Sequence, residues 1–233
     1  MQTSEDSTMH QAPQSNLHRV PKAVNAQNLP GHVQQMLLEA ILTRVLMPGE
    51  RLLIDEIAAH FGISKIPVRE AVKALVASGW LESMPRRGTY VRALSEQELQ
   101  EVFEMRRMLE PYAARKAAER RTSEHLAELR ELIAEGNESI RRRDTVSNSR
   151  INSRFHSVIA EAVGNRIICD SLKDLQSRIR RYFVEVDWKT RRDSLAEHKS
   201  IFEAIRDQDA DRVEKLTIAH LEHTESLAER YVD

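Results

Sequence analysis

The stretch that decides the fold is Phe61-Gly62-Ile63-Ser64-Lys65-Ile66-Pro67-Val68-Arg69-Glu70-Ala71-Val72. Gly62 ends a short amphipathic segment over residues 54–61, because glycine adopts the backbone conformation that commonly closes a helix. Ser64 is a residue type favoured at the start of a helix, and Pro67 falls in the first turn, where a missing N–H costs little. The stretch therefore predicts two helices joined by a three-residue turn, the second running over residues 64–78.

One more helix precedes this pair and a β-hairpin follows it. The segment between Pro30 and Gly49 carries apolar residues at spacings of three and four, which predicts one helix with a buried face. Those residues are Val33, Met36, Leu37, Ala40, Ile41 and Val45. Residues 80–82 and 89–91 predict two short strands around the turn Pro85-Arg86-Arg87-Gly88. Taken in order, these elements form a winged helix-turn-helix.

Glycine and proline divide the chain into two folded parts. Five of the seven glycines and four of the seven prolines lie between residues 30 and 88, and Pro111 is the last proline. Apolar periodicity beyond residue 94 predicts six helices, over residues 95–120, 123–143, 147–163, 166–185, 192–207 and 209–231. The first 27 residues are rich in Gln, Ser, Thr and Asn without such periodicity. The predicted fold is mainly α: a flexible tail over 1–27, a winged helix-turn-helix domain over 28–93 and an all-helical bundle over 94–233.

Composition excludes several classes of protein. The 233 residues include 30% charged residues, have a mean hydropathy of −0.51, and contain no apolar run long enough for a membrane span. The single cysteine, Cys169, excludes a disulfide framework and a cysteine-based zinc site. With no signal-like N-terminus, it indicates a soluble cytoplasmic protein. Over residues 28–92, eight Lys and Arg face six Asp and Glu, a difference too small to identify a nucleic-acid binder.

Basic residues lie at the two places where a winged helix-turn-helix meets DNA. Ser64, Lys65 and Arg69 occupy the first turns of the third helix, which would enter the major groove. Arg86 and Arg87 lie at the tip of the hairpin. Lys and Arg bind guanine edges or phosphates, and a helix N-terminus itself favours phosphate. The alternative is that these are ordinary solvated charges, and the pattern by itself leaves both interpretations open.

Three histidines in the helical half have the spacing of a metal site. Asn152 and His156 are four residues apart and share one helix face. His198 and His220 flank the turn at 207–209 symmetrically, so two antiparallel helices would hold them at the same height. Three imidazoles and an amide oxygen suit Zn²⁺, Ni²⁺ or a similar divalent ion. The alternative is a set of ordinary core or surface histidines.

A buried arginine is predicted in the first helix of this half. Arg106 falls within an apolar stripe and points inward, and a buried guanidinium needs an anionic partner. The stripe consists of Leu99, Val102, Phe103, Leu109, Ala113 and Ala117. The partner is either Glu110, one turn away, or the carboxylate of a bound ligand. Arg178, beside the apolar pair Leu175 and Ile179, is a weaker second candidate for an effector contact.

Three segments of the first domain resemble the GntR family of bacterial transcription regulators. They are Pro48-Gly49-Glu50-Arg51-Leu52, the stretch over 61–72, and Pro85-Arg86-Arg87-Gly88-Thr89-Tyr90-Val91. The resemblance implies DNA contacts from Ser64, Lys65, Arg69, Arg87 and Gly88. Many family members carry an arginine where this chain has Asp55, whose carboxylate would repel phosphate. Arg51, at the front of the second helix, is expected to substitute for that arginine.

The helical half resembles the all-helical FCD-type effector domain of the FadR-like branch of that family. The likeness is carried by residues 99–118, 152–165, 197–198 and 219–221. The resemblance implies a divalent metal, Zn²⁺ or Ni²⁺, bound by Asn152, His156, His198 and His220. Asp is commoner at the first position, so the neutral Asn152 implies weaker binding or a contact through water, and His223 is less favoured. Similar regulators hold small carboxylates with the metal and a buried arginine, a role that falls to Arg106.

Together these features predict a homodimeric, ligand-gated transcription regulator, usually a repressor, that binds near-palindromic double-stranded operator DNA and no membrane. Its effector would be a small carboxylate. A metal-dependent hydrolase is the rival from another class. Against it, the sequence has no His-Glu-x-x-His, P-loop or dinucleotide motif, and Glu197, adjacent to His198, is expected to point away from the ligands. A metal sensor without an organic effector is the third alternative, and the chain is not expected to be an enzyme.

Overall fold

Residues 28–93, all of which the structure describes, form three α-helices and a three-stranded sheet. The computed structural model describes residues 16–21, 28–93, 95–183 and 186–231. The elements of this N-terminal unit are α1 (Leu29–Leu42), β1 (Arg51–Leu52), α2 (Ile54–Phe61), α3 (Lys65–Ala77), β2 (Leu81–Met84) and β3 (Gly88–Val91). Strand β3 lies between β1 and β2 and is antiparallel to both. The predicted winged helix-turn-helix is confirmed, with β1 as an additional strand that the sequence did not indicate.

The helices of this unit each bury one apolar face in a shared core. Leu37 of α1, Ile57 of α2 and Leu75 of α3 are completely buried, and Trp80 closes the core beside the sheet. Gly62 joins α2 to α3 with φ +65°, a left-handed conformation that glycine adopts without the steric cost of a side chain. The turn between α2 and α3 is short, and the first two residues of α3, Lys65 and Ile66, are exposed.

Helix α1 ends earlier than the sequence predicts, and helix α3 lacks an expected cap hydrogen bond. Helix α1 stops at Leu42, earlier than predicted, because Arg44 takes a φ of 55°, through which an α-helix does not continue. The Thr43 hydroxyl donates to the Glu39 carbonyl at 2.8 Å and so satisfies one of the last carbonyl groups. Ser64 occupies the cap position of α3, as expected, but its side chain makes no cap hydrogen bond.

A short segment ahead of α1 belongs to the folded unit. Asn16–Arg19 form a 3₁₀ turn in which Leu17 is buried, and Val20 is buried directly after it. The first N–H of the turn donates to the Glu50 carboxylate at 2.8 Å. A ring nitrogen of His60, in α2, lies 2.7 Å from the carbonyl oxygen of Val20. The segment is thus tied to the unit by both apolar burial and hydrogen bonds.

This anchor corrects the predicted flexible tail over residues 1–27. The prediction is wrong for residues 16–21, where two apolar side chains three residues apart lie on one side of the turn and join the core. A polar composition around them hid this short pattern. Residues 1–15 and 22–27 lie outside the described residues, and the prediction stands untested there.

The C-terminal domain is an all-helical bundle, as predicted. Its α-helices, over the described part of residues 95–231, are α4 (Glu96–Arg120), α5 (Ser123–Arg142), α6 (Thr145–Ala162), α7 (Arg166–Ile179), α8 (Trp188–Arg206) and α9 (Ala210–Ala228). Helix α4 packs along α9, α5 packs against α6 and α8, and α7 covers α4 and α6. Their apolar side chains fill two adjacent cores. Within the described ranges, none of the helices has the length and apolar character needed to cross a membrane.

Capping residues explain where these six helices begin. The side chain of the residue before each helix accepts a hydrogen bond from a backbone N–H of the first turn. These residues are Ser95, Thr122, Asp144, Asn165, Asp187 and Asp209. Helix α8 begins at Trp188 rather than at residue 192, because Asp187 supplies this cap. Helix α7 gives way after Ile179 to a 3₁₀ turn over Arg180–Phe183, so it is shorter than predicted.

The C-terminal end of α7 contacts the N-terminal unit. The Ser177 hydroxyl donates at 2.6 Å to the carbonyl of Ser78, the residue that ends α3. The Arg180 guanidinium lies over the Trp80 ring, 4.9 Å from its centroid. Val146, at the start of α6, packs against the core of the N-terminal unit. These contacts connect the helical bundle to the last turn of α3.

Candidate metal and effector cavity, and candidate DNA-binding surface

Three histidines from three helices converge inside the bundle. His156 of α6, His198 of α8 and His220 of α9 each offer a ring nitrogen, and the three nitrogens lie within 4.8 Å of one another. The Nε2 atoms of His198 and His220 are 3.4 Å apart, which agrees with the predicted equal height of these residues on antiparallel helices. Both side chains are buried. Of the residues predicted as metal ligands, the structure therefore brings these three together.

Burial disfavours the protonated form of His156 and His198. Desolvation lowers the pKa of His156 well below its usual value, and the neighbouring His198, His220 and Arg106 lower it further. The pKa of His198 is lowered in the same way, first by burial and then by His220 and Arg106. A neutral imidazole has a free ring-nitrogen lone pair, which is the form that binds a metal ion. His156 and His198 are thus held in the form that binds a cation.

Glu197 holds the ring of His220 from behind. Its carboxylate lies 2.7 Å from His220 Nδ1 and 2.5 Å from His223 Nδ1. Burial raises the pKa of Glu197, but hydrogen bonds and charge interactions with these two rings outweigh that effect and lower it. The expectation that Glu197 points away from the ligands is wrong, because the flank of α8 that carries it faces α9. A carboxylate on Nδ1 leaves Nε2 of His220 available to a metal.

The fourth predicted ligand lies one turn away on the same helix as His156. Asn152 lines the cavity that His156, His198 and His220 also line. His223 is occupied with Glu197 instead and does not belong to the converging group. An amide oxygen is a weaker ligand than a carboxylate because it carries no net charge. Asn152 therefore lines the same cavity as the three imidazoles, without the charge that an Asp would add.

The cavity extends from the histidines toward the N-terminal unit. The empty space between its lining residues is about 950 Å³, a figure that includes open solvent at the mouth. Apolar walls are formed by Leu132, Ile151, Phe155 and Leu227, and Leu42 of α1 lies at the far side. Polar groups are supplied by Asn148, Gln176, Ser194, Thr224 and the arginines Arg106, Arg180 and Arg191. Several buried donors and a largely apolar wall suit a small anionic organic molecule.

Arg106 points inward from the apolar stripe of α4, as the sequence predicts. Its side chain is only 2% exposed, and its Nε lies 2.5 Å from Glu110 Oε1. Gln176 Nε2 donates to the same carboxylate at 3.3 Å, and His156 Nδ1 is 3.8 Å from it. Nη1 of Arg106 is buried and has no hydrogen-bond partner among the described residues. Glu110 is therefore one partner of this guanidinium, and one N–H-bearing nitrogen stays available in a residue that lines the cavity.

Arg178 does not reach the cavity, which corrects its prediction as an effector contact. Its guanidinium pairs with Asp174 at 2.8 Å and with Glu98 at 3.4 Å on the outer side of α7. The cavity-lining residues of this region are Gln176, Ile179 and Arg180. The prediction for Arg178 rested on its closeness in sequence to the core pair Leu175 and Ile179. The Arg178 side chain, however, extends toward Glu98 of α4 and toward solvent.

The recognition helix presents its predicted residues to solvent. Ser64, Lys65 and Arg69 are exposed at the N-terminal end of α3, opposite the buried Val68 and its neighbours. Lys65 Nζ lies 2.9 Å from Asp55 Oδ2, and both side chains are exposed. An exposed ion pair contributes little stability, so a phosphate could replace Asp55 as the partner of Lys65. Asp55, which replaces the arginine of many family members, thus lies directly beside Lys65, a predicted DNA contact.

The hairpin carries a second basic group. Arg86 and Arg87 are exposed in the turn between β2 and β3, and Gly88 has φ +117°, a conformation that side chains rarely adopt. Arg51 lies in β1 rather than at the front of α2, which corrects its predicted place. A Cβ at position 88 would be 3.0 Å from Arg51 Nε, so this guanidinium lies against the hairpin turn. Arg51 therefore belongs to the wing.

Comparison with known proteins agrees with both halves of this description. Residues 29–91 match the family described as bacterial regulatory proteins, gntR family, and residues 101–223 match the FCD domain. The chain belongs to the GntR family. Its second domain is of the FCD type, as the resemblance of the helical half implied.

Relatives of this GntR-family protein are transcription regulators. The Nta operon transcriptional regulator of Aminobacter aminovorans is 29% identical over 186 residues, covering 78% of this chain and 86% of that protein. The HTH-type transcriptional repressor RspR of Escherichia coli strain K12 is 25% identical over 192 residues, covering 82% and 84%. The solved structure of E. coli McbR/YncC has the same fold, with a TM-score of 0.71 at 23% identity over 87% of this chain and 97% of that one. The chain is thus a transcriptional regulator with a DNA-binding domain, and it is not an enzyme.

Sequence reasoning missed the role of Glu197 behind His220 and two residues of the cavity lining, Arg180 and Arg191. Glu197 could have been found, because antiparallel α8 and α9 place it beside His220 and His223. Arg180 follows the end of α7 in a 3₁₀ turn, where a helical wheel gives no direction. Arg191 precedes the predicted start of α8, so no face was assigned to it.

Proposed function

We propose that this protein is a ligand-responsive repressor that binds operator DNA as a homodimer and whose FCD domain holds a divalent metal and a small carboxylate. The observation that carries the proposal is the convergence of three histidine ring nitrogens and the unpartnered Nη1 of Arg106 on one cavity. A metal and a guanidinium are the two groups that most strongly bind carboxylate oxygen.

The donor set fits a divalent cation such as Zn²⁺ or Ni²⁺. His156, His198 and His220 would supply three nitrogens, and Asn152 an amide oxygen directly or through water. Glu197 fixes the tautomer of His220, and metal-binding histidines commonly have such a carboxylate behind them. When bound, the cation would attract and coordinate a carboxylate oxygen of the effector.

Arg106 would orient the carboxylate beside the metal. Its pair with Glu110 fixes the guanidinium, and Nη1 stays free to donate. A buried donor without a partner is costly in a folded protein, which favours a ligand atom as its partner. This use of Arg106 also favours an organic effector over the metal-sensor alternative, in which Nη1 would have no role.

The DNA-binding half would use α3 in the major groove and the hairpin along the backbone. Arg69 and Ser64 at the start of α3 would contact base edges and phosphates, and Lys65 would exchange Asp55 for phosphate. Arg51, Arg86, Arg87 and Gly88 would form the wing contact. In a two-fold dimer, two such units would bind two half-sites of matching symmetry.

A homodimer is supported by apolar residues on the outer face of the bundle. Met105, Met108 and Tyr112 are exposed on α4, and Ile218 is exposed on α9. The ion pairs Arg107–Glu225 and Arg115–Glu214 set the register of these two helices, which places Ile218 at the height of Tyr112. A contiguous apolar face on the surface is typical of a protein interface. Two-fold pairing would present two α3 helices to a near-palindromic operator.

Native mass spectrometry of the freshly purified protein tests the proposal. We expect a dimer that carries one metal ion per chain, and loss of that ion in His156→Ala and His198→Ala. His223→Ala is the matched control and should keep the metal, because His223 faces Glu197. A dimer that takes up no ion on addition of Zn²⁺ or Ni²⁺ would contradict the metal assignment, and a monomer would contradict the assembly.

A DNA-binding titration separates the effector-gated regulator from a metal sensor. Fluorescence anisotropy with operator DNA is measured on metal-free, metal-loaded, and metal- and carboxylate-loaded protein. We expect the carboxylate to weaken operator binding on top of constant metal. A ligand shifts the equilibrium only by its preference for the arrangement that fits the operator poorly. A response to metal alone would favour the sensor.

A further inference from the structure

Arg180 lies between the cavity and the DNA-binding unit. It lines the cavity from the 3₁₀ turn that follows α7, and its guanidinium lies 4.9 Å from the centroid of the Trp80 ring. Trp80 is buried and directly precedes β2 of the wing. One turn earlier on α7, Ser177 donates to the carbonyl that ends α3. A change at Arg180 therefore has a direct route to both DNA-contacting elements.

The guanidinium of Arg180 has no anionic partner among the described residues. Its Nε is buried without a hydrogen bond, and burial lowers the pKa of the side chain. The adjacent Arg181 pairs with Glu98 at 2.8 Å, and Arg178 contacts the same carboxylate. Glu98 thus pairs with Arg178 and Arg181, which lie on either side of Arg180 in the sequence. A half-buried positive charge with a buried, unpartnered Nε and no anion is unfavourable, so this site is incomplete as it stands.

The same cavity contains a second guanidinium with an unpartnered buried nitrogen, that of Arg106. Gln176, which donates to the carboxylate paired with Arg106, lies four residues before Arg180. Both guanidiniums thus line one cavity, Arg106 from α4 and Arg180 from the turn that follows α7. Arg191 also lines the cavity but donates to Asn148 and to the carbonyls of Phe183 and Val186. Arg191 therefore has hydrogen-bond partners in the protein and holds Phe183, the last residue of the 3₁₀ turn, in place.

We propose that the effector is a dicarboxylate, with one carboxylate at Arg106 and the metal site and the second at Arg180. Binding of the second carboxylate draws the Arg180 guanidinium away from the Trp80 ring and so links occupancy of the cavity to the wing and α3. This inference rests on the proposed function, and it adds the second anionic group and the residue that transmits binding.

The test compares carboxylates of equal chain length on the metal-loaded, full-length protein. Isothermal titration uses succinate and glutarate as dicarboxylates, with butyrate and pentanoate as monocarboxylates. We expect wild type to bind the dicarboxylates at least tenfold more tightly, which is what one charge-assisted contact contributes. Arg180→Met should lose this preference and keep the monocarboxylate affinity. Arg178→Met, which removes a neighbouring guanidinium outside the cavity, should keep the preference.

Stability of the ligand-free protein separates a binding role from a structural one. Removing an unpartnered charge should leave the thermal midpoint of Arg180→Met unchanged or raise it, whereas a structural arginine would lower it. Glu185 is the carboxylate nearest to Arg180 in sequence and lies outside the described residues. Glu185→Gln should leave both the midpoint and the dicarboxylate preference unchanged. A tighter dicarboxylate with a lower midpoint in this variant would identify Glu185 as the partner and overturn the inference.

Tryptophan fluorescence tests the link to the DNA-binding unit. The chain has two tryptophans, so Trp188→Phe leaves Trp80 as the reporter. We expect succinate or glutarate to change its emission, and the change to disappear with Arg180→Met added. An unchanged ratio of affinities in Arg180→Met overturns the second anion site, and a silent Trp80 overturns the link. If wild type binds neither class of carboxylate, the proposed function itself fails, which is a different result.

Discussion

The Arg106–Glu110 pair can be perturbed in a way that separates its contribution to folding from its contribution to binding. Both side chains are almost completely buried, at 2% and 7% exposure, and are 2.5 Å apart. Arg106→Met leaves Glu110 as a buried carboxylate without its guanidinium. Breaking a buried pair in this way costs about 3–5 kcal/mol. Gln176 still donates to Glu110 at 3.3 Å, which favours the lower end of that range.

Thermal unfolding in the presence of a chelator is the assay, so that metal loss does not contribute. A cost of about 3 kcal/mol corresponds to a midpoint lower by roughly 6–12 °C for a chain of this size. The double variant Arg106→Met/Glu110→Gln removes both charges and keeps an acceptor for Gln176, so we expect its midpoint to return to within a few degrees of wild type. Arg107→Met is the matched control. It removes a more exposed pair with Glu225 and should cost at most about 1 kcal/mol.

Carboxylate binding completes the experiment, because it should be lost in both the single and the double variant. Recovery of stability without recovery of binding would assign Arg106 a role beyond its pair with Glu110. The reasoning is refuted if Arg106→Met melts within about 2 °C of wild type, or if the double variant is as unstable as the single one.

Three further predictions concern DNA and metal. Arg69→Ala should abolish specific operator binding in a gel-shift assay and leave the carboxylate-induced thermal shift intact; loss of both would contradict the division into two domains. Asp55→Asn releases Lys65 and removes a negative charge from the DNA-facing surface. It should tighten binding to operator and random DNA alike by about threefold to tenfold, with a steeper salt dependence in anisotropy titrations; weaker binding would argue against this placement. In chelated protein, burial lowers the pKa of His156 and His198. The stability they contribute is therefore present above the unfolded pKa of about 6.5 and lost as pH falls, by up to about 1.4 kcal/mol per pH unit for each. Urea unfolding at several pH values measures this slope, and His198→Ala should halve it.

Sequence reasoning succeeded where a pattern reports burial of one face. The apolar spacing of α1, α2 and α3, with Gly62 between the last two, was enough to identify the helix-turn-helix. The equal height of His198 and His220 followed from spacing and one antiparallel turn, because helix geometry fixes the height of a side chain on its axis. Spacing left open whether His156 joins them, and its place in the cluster was implied by the family resemblance. Arg106 was placed correctly by the stripe that contains it.

The features that were missed lie where periodicity ends. Strand β1 has only two residues, too few to alternate, and its pairing with Thr89 and Tyr90 is long-range. Arg180 follows the break of α7, so the periodicity of that helix no longer sets its direction. Arg178 was misplaced for a related reason: closeness to a core residue in sequence does not fix which flank of the helix a long side chain takes.

The anchoring of Leu17 and Val20 changes what counts as the smallest folding unit of the DNA-binding half. Burying side chains of this size contributes about 1.5–3 kcal/mol each, and a domain of some 65 residues has a net stability of only a few kcal/mol. A fragment that starts at residue 28 would expose the apolar flank of α2 and remove the Asn16 N–H that donates to Glu50. A fragment that starts at residue 16 keeps both. The segment over residues 16–21 is therefore part of the folded DNA-binding domain, and an N-terminal fusion should be joined before Asn16.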